Sequence, residues 1–312
     1  MRQLIAKIIL ALAGISILVA TLINAGSSVQ SKTSIISTSF VGYDFARAVT
    51  GDKDQVSMLL KPGAEVHNYE PTPQDIINIK NAKLFIYIGG ESEEWVEKLL
   101  ADNNISTERR VRLMDYVEPK TEVAKEGMES DKEGGEEEYD EHIWTSIPNA
   151  MHLVNAIRDK LTALNAGTRD KYAKNAEEYT NRLKTIDDEL RATIAKASNH
   201  TLIFGDRFPF RYFTDEYGLD YYAAFPGCSD QTEASASTIS FLINKARELG
   251  AKAIFKTEMT SGSLAETIAN EAGAKVYTLH AAHNISKEEL TSGLSYADIM
   301  ERNVKTLREA LN

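Results

Sequence analysis

The chain has 312 residues, 43% hydrophobic and 26% charged, with a formal net charge of −11. This composition reads as an ordinary soluble globular protein of about two domains, with a sizeable core. The acidity argues against nucleic acid as a partner and suits collection of cations, and the lone cysteine, Cys228, excludes an intramolecular disulfide framework and reads as a small buried residue.

The chain opens with Arg2 and Lys7, an uncharged apolar run over 8–23, and then the small residues Ala25, Gly26 and Ser27. This is the layout of a secretory signal peptide over 1–25, with a permanent N-terminal anchor as the alternative. Either way the body of the protein is exported. No cysteine follows the run, so lipid attachment at a new N-terminus is unavailable, and removal of 1–25 makes the charge −13.

From residue 34 short apolar runs alternate with helical stretches. Segments 34–37, 55–60 and 83–88 read as strands, and 45–49, 74–80 and 91–100 as helices, followed by a helix over 147–164 that Pro148 starts. The alternation returns after residue 200, with strands over 201–204, 252–256 and 275–280 and helices near 235–249 and 264–272. An amphipathic helix over 296–311 closes the chain. Strand–helix alternation predicts mainly parallel sheets covered by helices, an α/β architecture.

Between the two blocks, Tyr172, Ala176, Tyr179, Leu183, Ile186, Leu190 and Ile194 mark one apolar face at spacings of three and four. No Pro or Gly interrupts 168–197, so a helix of about 30 residues would run roughly 45 Å. The segment reads as a rigid spine joining two lobes rather than as a coiled-coil dimer. Residues 122–141 hold ten carboxylates against Lys125 and Lys132, with Gly127, Gly134 and Gly135 interspersed. Such a segment reads as a mobile loop, either a solvated insertion or a low-affinity cation collector.

The histidines are His67, His142, His152, His200, His280 and His283. His67 lies in KPGAEVHNYEPTPQD between an expected strand and helix, His142 in DEHIWTSIPNA ahead of a helix, and His280 at the end of KVYTLH. All three fall at loop edges facing a possible cleft, where open α/β sheets bind ligands. His152 and His200 read as ordinary polar residues.

The segments PGAEVHNYEPTP, GGESEEW and HIWTSIPNA, the long helix and SYADIMERNVKTL together resemble the zinc- and manganese-binding subunits of bacterial ABC importers, the cluster A-I substrate-binding proteins. The resemblance covers essentially 33–312. It implies an N-terminal metal-binding lobe over 32–165 with the acidic loop 122–141, a bridging helix over 166–198, and a C-terminal metal-binding lobe over 199–312. It further implies a monomer that delivers its ion to an ABC permease and its ATPase subunit, in the periplasm or at the outer face of the cytoplasmic membrane.

Two positions depart from the family pattern. Arg207, in DRFPFRYF, stands where the family usually has a third ligand, and a guanidinium has no lone pair to give a metal. His280 stands where the family usually has an aspartate. The expected metal ligands are therefore His67, His142 and His280, with His283 as a weaker substitute for His280 and water, Glu258 or Asp206 completing a tetrahedron. Three imidazoles favour Zn²⁺ over Mn²⁺. The alternatives are a manganese-binding homologue, a metal-dependent adhesin or a three-His zinc enzyme; against the last, no HExxH places a general base beside the ligands.

Overall fold

The computed structural model describes residues 34–52, 55–64, 69–129, 139–227, 229 and 233–312. Residues 1–33 (the expected leader among them), His67, residues 130–138 of the acidic segment and Cys228 lie outside the described residues. No helix among those described is long and apolar enough to cross a membrane.

The N-terminal lobe is built on β1 (Ile35–Ser37), α1 (Phe40–Thr50), β2 (Val56–Met58), α2 (Pro73–Asn81), β3 (Leu84–Tyr87), α3 (Glu94–Asp102) and β4 (Arg110–Arg112). Its strands are all parallel, in the order β2-β1-β3-β4. α2 starts where the sequence supplies a full set of signals: Thr72 and Asp75 form a reciprocal capping box and Pro73 occupies the first turn. α4 (Ile147–Leu164) begins behind Ser146, whose hydroxyl accepts the Asn149 N–H.

α5 (Arg169–Ala195) is the long helix, and its 27 residues extend about 40 Å. Tyr172, Ala176, Leu183, Ile186, Leu190 and Ile194 on its apolar face are all buried. Tyr179 is half-turned out of that face and donates its hydroxyl to Asp44 of α1 at 2.7 Å. The C-terminal lobe follows as β5 (Thr201–Phe208), α6 (Arg211–Tyr217), β6 (Asp220–Pro226), α7 (Ala236–Glu248), β7 (Ala253–Lys256), α8 (Ser263–Ala272), β8 (Lys275–Thr278), α9 (Lys287–Ser292) and α10 (Tyr296–Ala310). Its sheet is again parallel, in the order β6-β5-β7-β8. α8 lies so close on β5 that a Cβ on Gly205 would stand 2.4 Å from the Ala265 Cα, which explains the glycine.

Both sheets therefore share one order, with the first strand of each lobe flanked on its two sides by strands reached in opposite directions. The C-terminal strand ends at such a switch point form the crevice where open α/β sheets bind ligands. One continuous apolar cluster links the lobes through α5, running from Ile35 and Phe45 through Leu183 and Leu190 to Phe204 and Leu307. Polar ties reinforce it. The Tyr296 N–H donates to Asp44 at 2.9 Å, and the Tyr296 hydroxyl donates to the Trp144 carbonyl at 2.6 Å.

The acidic segment departs from the sequence expectation in its described part. Residues 122–129 are anchored on the C-terminal lobe: the Glu129 N–H donates to the Ala224 carbonyl at 2.9 Å, and the Glu129 carboxylate accepts the Ser235 N–H at 2.7 Å. Lys125 stands 4.1 Å over the Tyr221 ring and pairs with Asp220. Net charge hid these anchors, because one lysine, Met128 and a few backbone groups suffice to dock the segment.

Candidate metal centre

His142 sits just before α4 on a short helical turn and is 1% exposed. Asp140, equally buried, takes both the His142 backbone N–H at 2.7 Å and the ring Nδ1 at 3.1 Å. With Nδ1–H donated to this carboxylate, the Nε2 lone pair is turned outward, the arrangement that orients metal-binding imidazoles. Burial pulls the His142 pKa down. The charge and hydrogen bond of Asp140 outweigh it, with Glu141 and Glu122 adding to them, and the pKa is raised. Gly227, in the turn after β6, passes close to the ring: a Cβ there would lie 3.2 Å from the His142 Cε1.

The outward Nε2 of His142 meets the Nδ1 of His283 at 3.3 Å, with the rings 77° apart. Two imidazoles bound to one tetrahedral zinc, at Zn–N of about 2.0–2.1 Å, have nitrogens about 3.3 Å apart. Trp144 packs its edge against both rings, with centroids 5.6 and 5.9 Å away, and its Nε1–H donates to the Ala281 carbonyl at 2.7 Å. Two nitrogen donors, one held by a buried carboxylate and both walled by an apolar ring, suit a divalent cation of borderline softness.

The structure thus sets His283, rather than the expected His280, against His142. The reason is the turn between them. β8 ends at Thr278, and Ala282 adopts a left-handed conformation, φ 58°, that reverses the chain before His283. The His280 Nδ1 accepts the Ala282 N–H at 2.9 Å, and its Nε2 lies 3.8 Å from Glu289. The Nδ1 of His280 is tied into its own turn, while its buried Nε2 makes no hydrogen bond.

The two carboxylates expected to complete the coordination are also engaged. Asp206 accepts the Arg207 N–H, the Thr257 N–H and the hydroxyls of Thr257 and Thr260, all at 2.7–3.0 Å. Glu258 accepts backbone N–H groups from the His283 turn. Arg207 lines a cavity with Ala64, Glu258, Ala281, His283 and Asn284. The N-terminal lobe reaches this cavity directly: the Gly63 N–H donates to the Ile285 carbonyl at 3.0 Å, and the Ala64 carbonyl accepts from the Asn284 side chain. Among the described residues, no group of three or more His, Cys, Asp or Glu side chains is placed to hold a metal, and His67 lies outside them.

Two further buried acids adjoin the centre and were not singled out in the sequence. Glu141 accepts the Ser92 N–H at 2.7 Å and the Ser92 hydroxyl. Glu93 accepts the Gly89 N–H at 2.8 Å and is 1% exposed. The GGESEEW segment that carries Ser92 and Glu93 was visible as a motif, but its inward-facing acid could not be told from its solvated ones.

The chain matches, over residues 35–310, the family model described as zinc-uptake complex component A, periplasmic. It is 31% identical over 286 residues to the high-affinity zinc uptake system protein ZnuA of Bacillus subtilis (strain 168), a match covering 90% of this chain and 88% of that protein. Its fold is similar to that of the metal-dependent lipoprotein YcdH from Bacillus subtilis, with TM-score 0.75 and 30% identity over 90% of this chain and 100% of that one. It is similar too to the Zn(II)-bound ZnuA-like domain of Streptococcus pneumoniae AdcA, with TM-score 0.73 and 28% identity over 89% and 98% of the two chains. The family match takes in both sheets, the long helix and the His142–His283 pair, and the chain belongs to the family of periplasmic zinc-uptake components.

Proposed function

We propose that this protein captures Zn²⁺ between its lobes and delivers it, as a monomer, to an ABC permease driven by an ATPase subunit. It acts as a solute-binding subunit and not as a catalyst. The observation that carries the reading is the 3.3 Å approach of the His142 Nε2 to the His283 Nδ1, the spacing of two imidazoles on one tetrahedral zinc. We assign His67 as the third ligand. The segment PGAEVHNYEPTP around it resembles the family's own, and Ala64, three residues earlier in the sequence, lines the same cavity as His283. The corresponding division is an N-terminal lobe over 32–165, a bridging helix over 166–198 and a C-terminal lobe over 199–312.

An imidazole-rich donor set favours zinc over manganese, which prefers oxygen ligands at higher coordination. Competition titration of metal-free protein should give one zinc per chain, bound at least 100-fold more tightly than manganese. Protons compete for the imidazoles, and the His142 pKa is raised, so zinc affinity should already weaken as pH falls toward about 6.5. Equal affinity for the two metals, or zinc binding indifferent to pH between 8 and 6 (roughly 1.5 units above to 0.5 below the ordinary imidazole pKa), would contradict the assignment.

A further inference from the structure

We infer that Glu258 is the positioning residue of the metal centre, acting on His283 through the backbone and not as a ligand. This rests on the reading of His142 and His283 as a metal-binding pair. Glu258 follows β7 at the C-terminal edge of the sheet, and its side chain is 8% exposed. One carboxylate oxygen accepts the Ala281 N–H at 2.7 Å; the other accepts the His283 N–H at 3.0 Å and the Asn284 N–H at 3.3 Å. The Ala282 N–H, between them, goes to the His280 Nδ1, and the Ile285 N–H to the Asn284 side chain. Every backbone donor from 281 to 285 is thereby satisfied, in a turn without regular secondary structure.

That turn holds a strained residue. Ala282 has φ 58°, a conformation that costs a residue bearing a Cβ free energy unless its surroundings enforce it. Glu258 grips the peptides on both sides of Ala282, while Trp144 holds the Ala281 carbonyl from the opposite side. The left-handed turn directs the His283 ring back at His142, and the carboxylate fixes the turn. Its negative charge further balances the incoming cation without contributing a donor atom. Glutamine cannot substitute well, because its single carbonyl oxygen must serve donors that two carboxylate oxygens now share, while its NH₂ would face a backbone N–H.

The test compares Glu258→Gln, Glu258→Asp and His283→Ala with Asp206→Asn as the control. Asp206 accepts four hydrogen bonds at the same sheet edge, from Thr257, Thr260 and Arg207, against the three that Glu258 accepts, but none from the 281–285 turn. Glu258→Gln should weaken zinc binding at least tenfold, the scale of losing a group that orients a ligand. It should also shift the visible d–d bands of the Co²⁺-loaded protein and speed hydrogen exchange at the Ala281, His283 and Asn284 amides. Glu258→Asp keeps the charge, draws the oxygens back by one methylene, and should give an intermediate loss in a protein that folds. Asp206→Asn should lower the unfolding temperature with zinc affinity and Co²⁺ spectrum unchanged. Parental zinc affinity and Co²⁺ spectrum in both Glu258 variants, while His283→Ala loses binding, would overturn the inference and leave the metal pair standing. Parental affinity in His283→Ala as well would overturn both.

Discussion

Replacing His283 with Ala is expected to cost at least 100-fold in zinc affinity, whereas His280→Ala should cost less than tenfold. The contrast follows from where each ring nitrogen points. The His283 Nδ1 faces the His142 Nε2 at 3.3 Å, while the His280 Nδ1 accepts the Ala282 N–H. Loss of His283 removes one of few nitrogen donors and leaves His142 to bind alone, a difference on the order of 3 kcal/mol for two decades of affinity. Loss of His280 removes an acceptor in the turn, which loosens His283 without deleting it. Calorimetric titration of the two variants against zinc measures both effects. The reverse order, with His280→Ala the more damaging, would return the ligand role to the residue expected from sequence.

The second large effect concerns stability. Burial, reinforced by the neighbouring charge of Glu141, raises the Glu93 carboxyl from 4.5 to about 7. In the unfolded chain the same group ionises near 4.5. Between those two values the folded protein holds a proton that the unfolded chain has released, so this group's contribution to stability is full below pH 4.5, falls as pH rises, and is lost above about pH 7. The full swing is roughly 3 kcal/mol. Glu93→Gln is neutral at every pH and keeps an oxygen for the Gly89 N–H. Urea unfolding of metal-free protein should therefore show the variant gaining roughly 3 kcal/mol on the parent between pH 4 and pH 8. A constant difference across that range would mean that Glu93 titrates as a solvated carboxylate.

Much of the fold was legible because its elements carry strong periodic signals. The α5 face came out with Tyr179 alone half-turned from it, and β3 lies within the expected 83–88 segment. The elements that did not come out lack such signals. β4 is the three-residue Arg–Val–Arg, which pairs with β3 through its backbone and shows one apolar side chain. β6 is Asp–Tyr–Tyr–Ala–Ala–Phe–Pro, with Asp220 exposed and Tyr222 half-buried against Phe241, and this mixed run shows neither strict alternation nor a β-branched residue to mark it as a strand. α1 begins at Phe40, five residues ahead of expectation, because Gly42 within it masks the pattern.

At the centre, His142 was legible from its neighbours, since HIWTSIPNA packs a helix start and a wall aromatic beside the imidazole. The partner was not. His280 and His283 flank the same short turn, and which of them faces the centre depends on the sign of one dihedral at Ala282. A non-glycine residue with positive φ is rare enough that sequence reasoning passes over it. Glu258 and Asp206 were visible as nearby acids, but their engagement by the turn and by Thr257 and Thr260 is a property of folded backbone geometry.

The proposed site places one zinc ion between His142 and His283. An anomalous difference map at the zinc edge, from crystals of stoichiometrically loaded protein, tests it most directly. A single strong peak is expected about 2.0–2.1 Å from both the His142 Nε2 and the His283 Nδ1. A peak bound by His280 with His283 turned away, or no ordered zinc between the lobes at all, would contradict it.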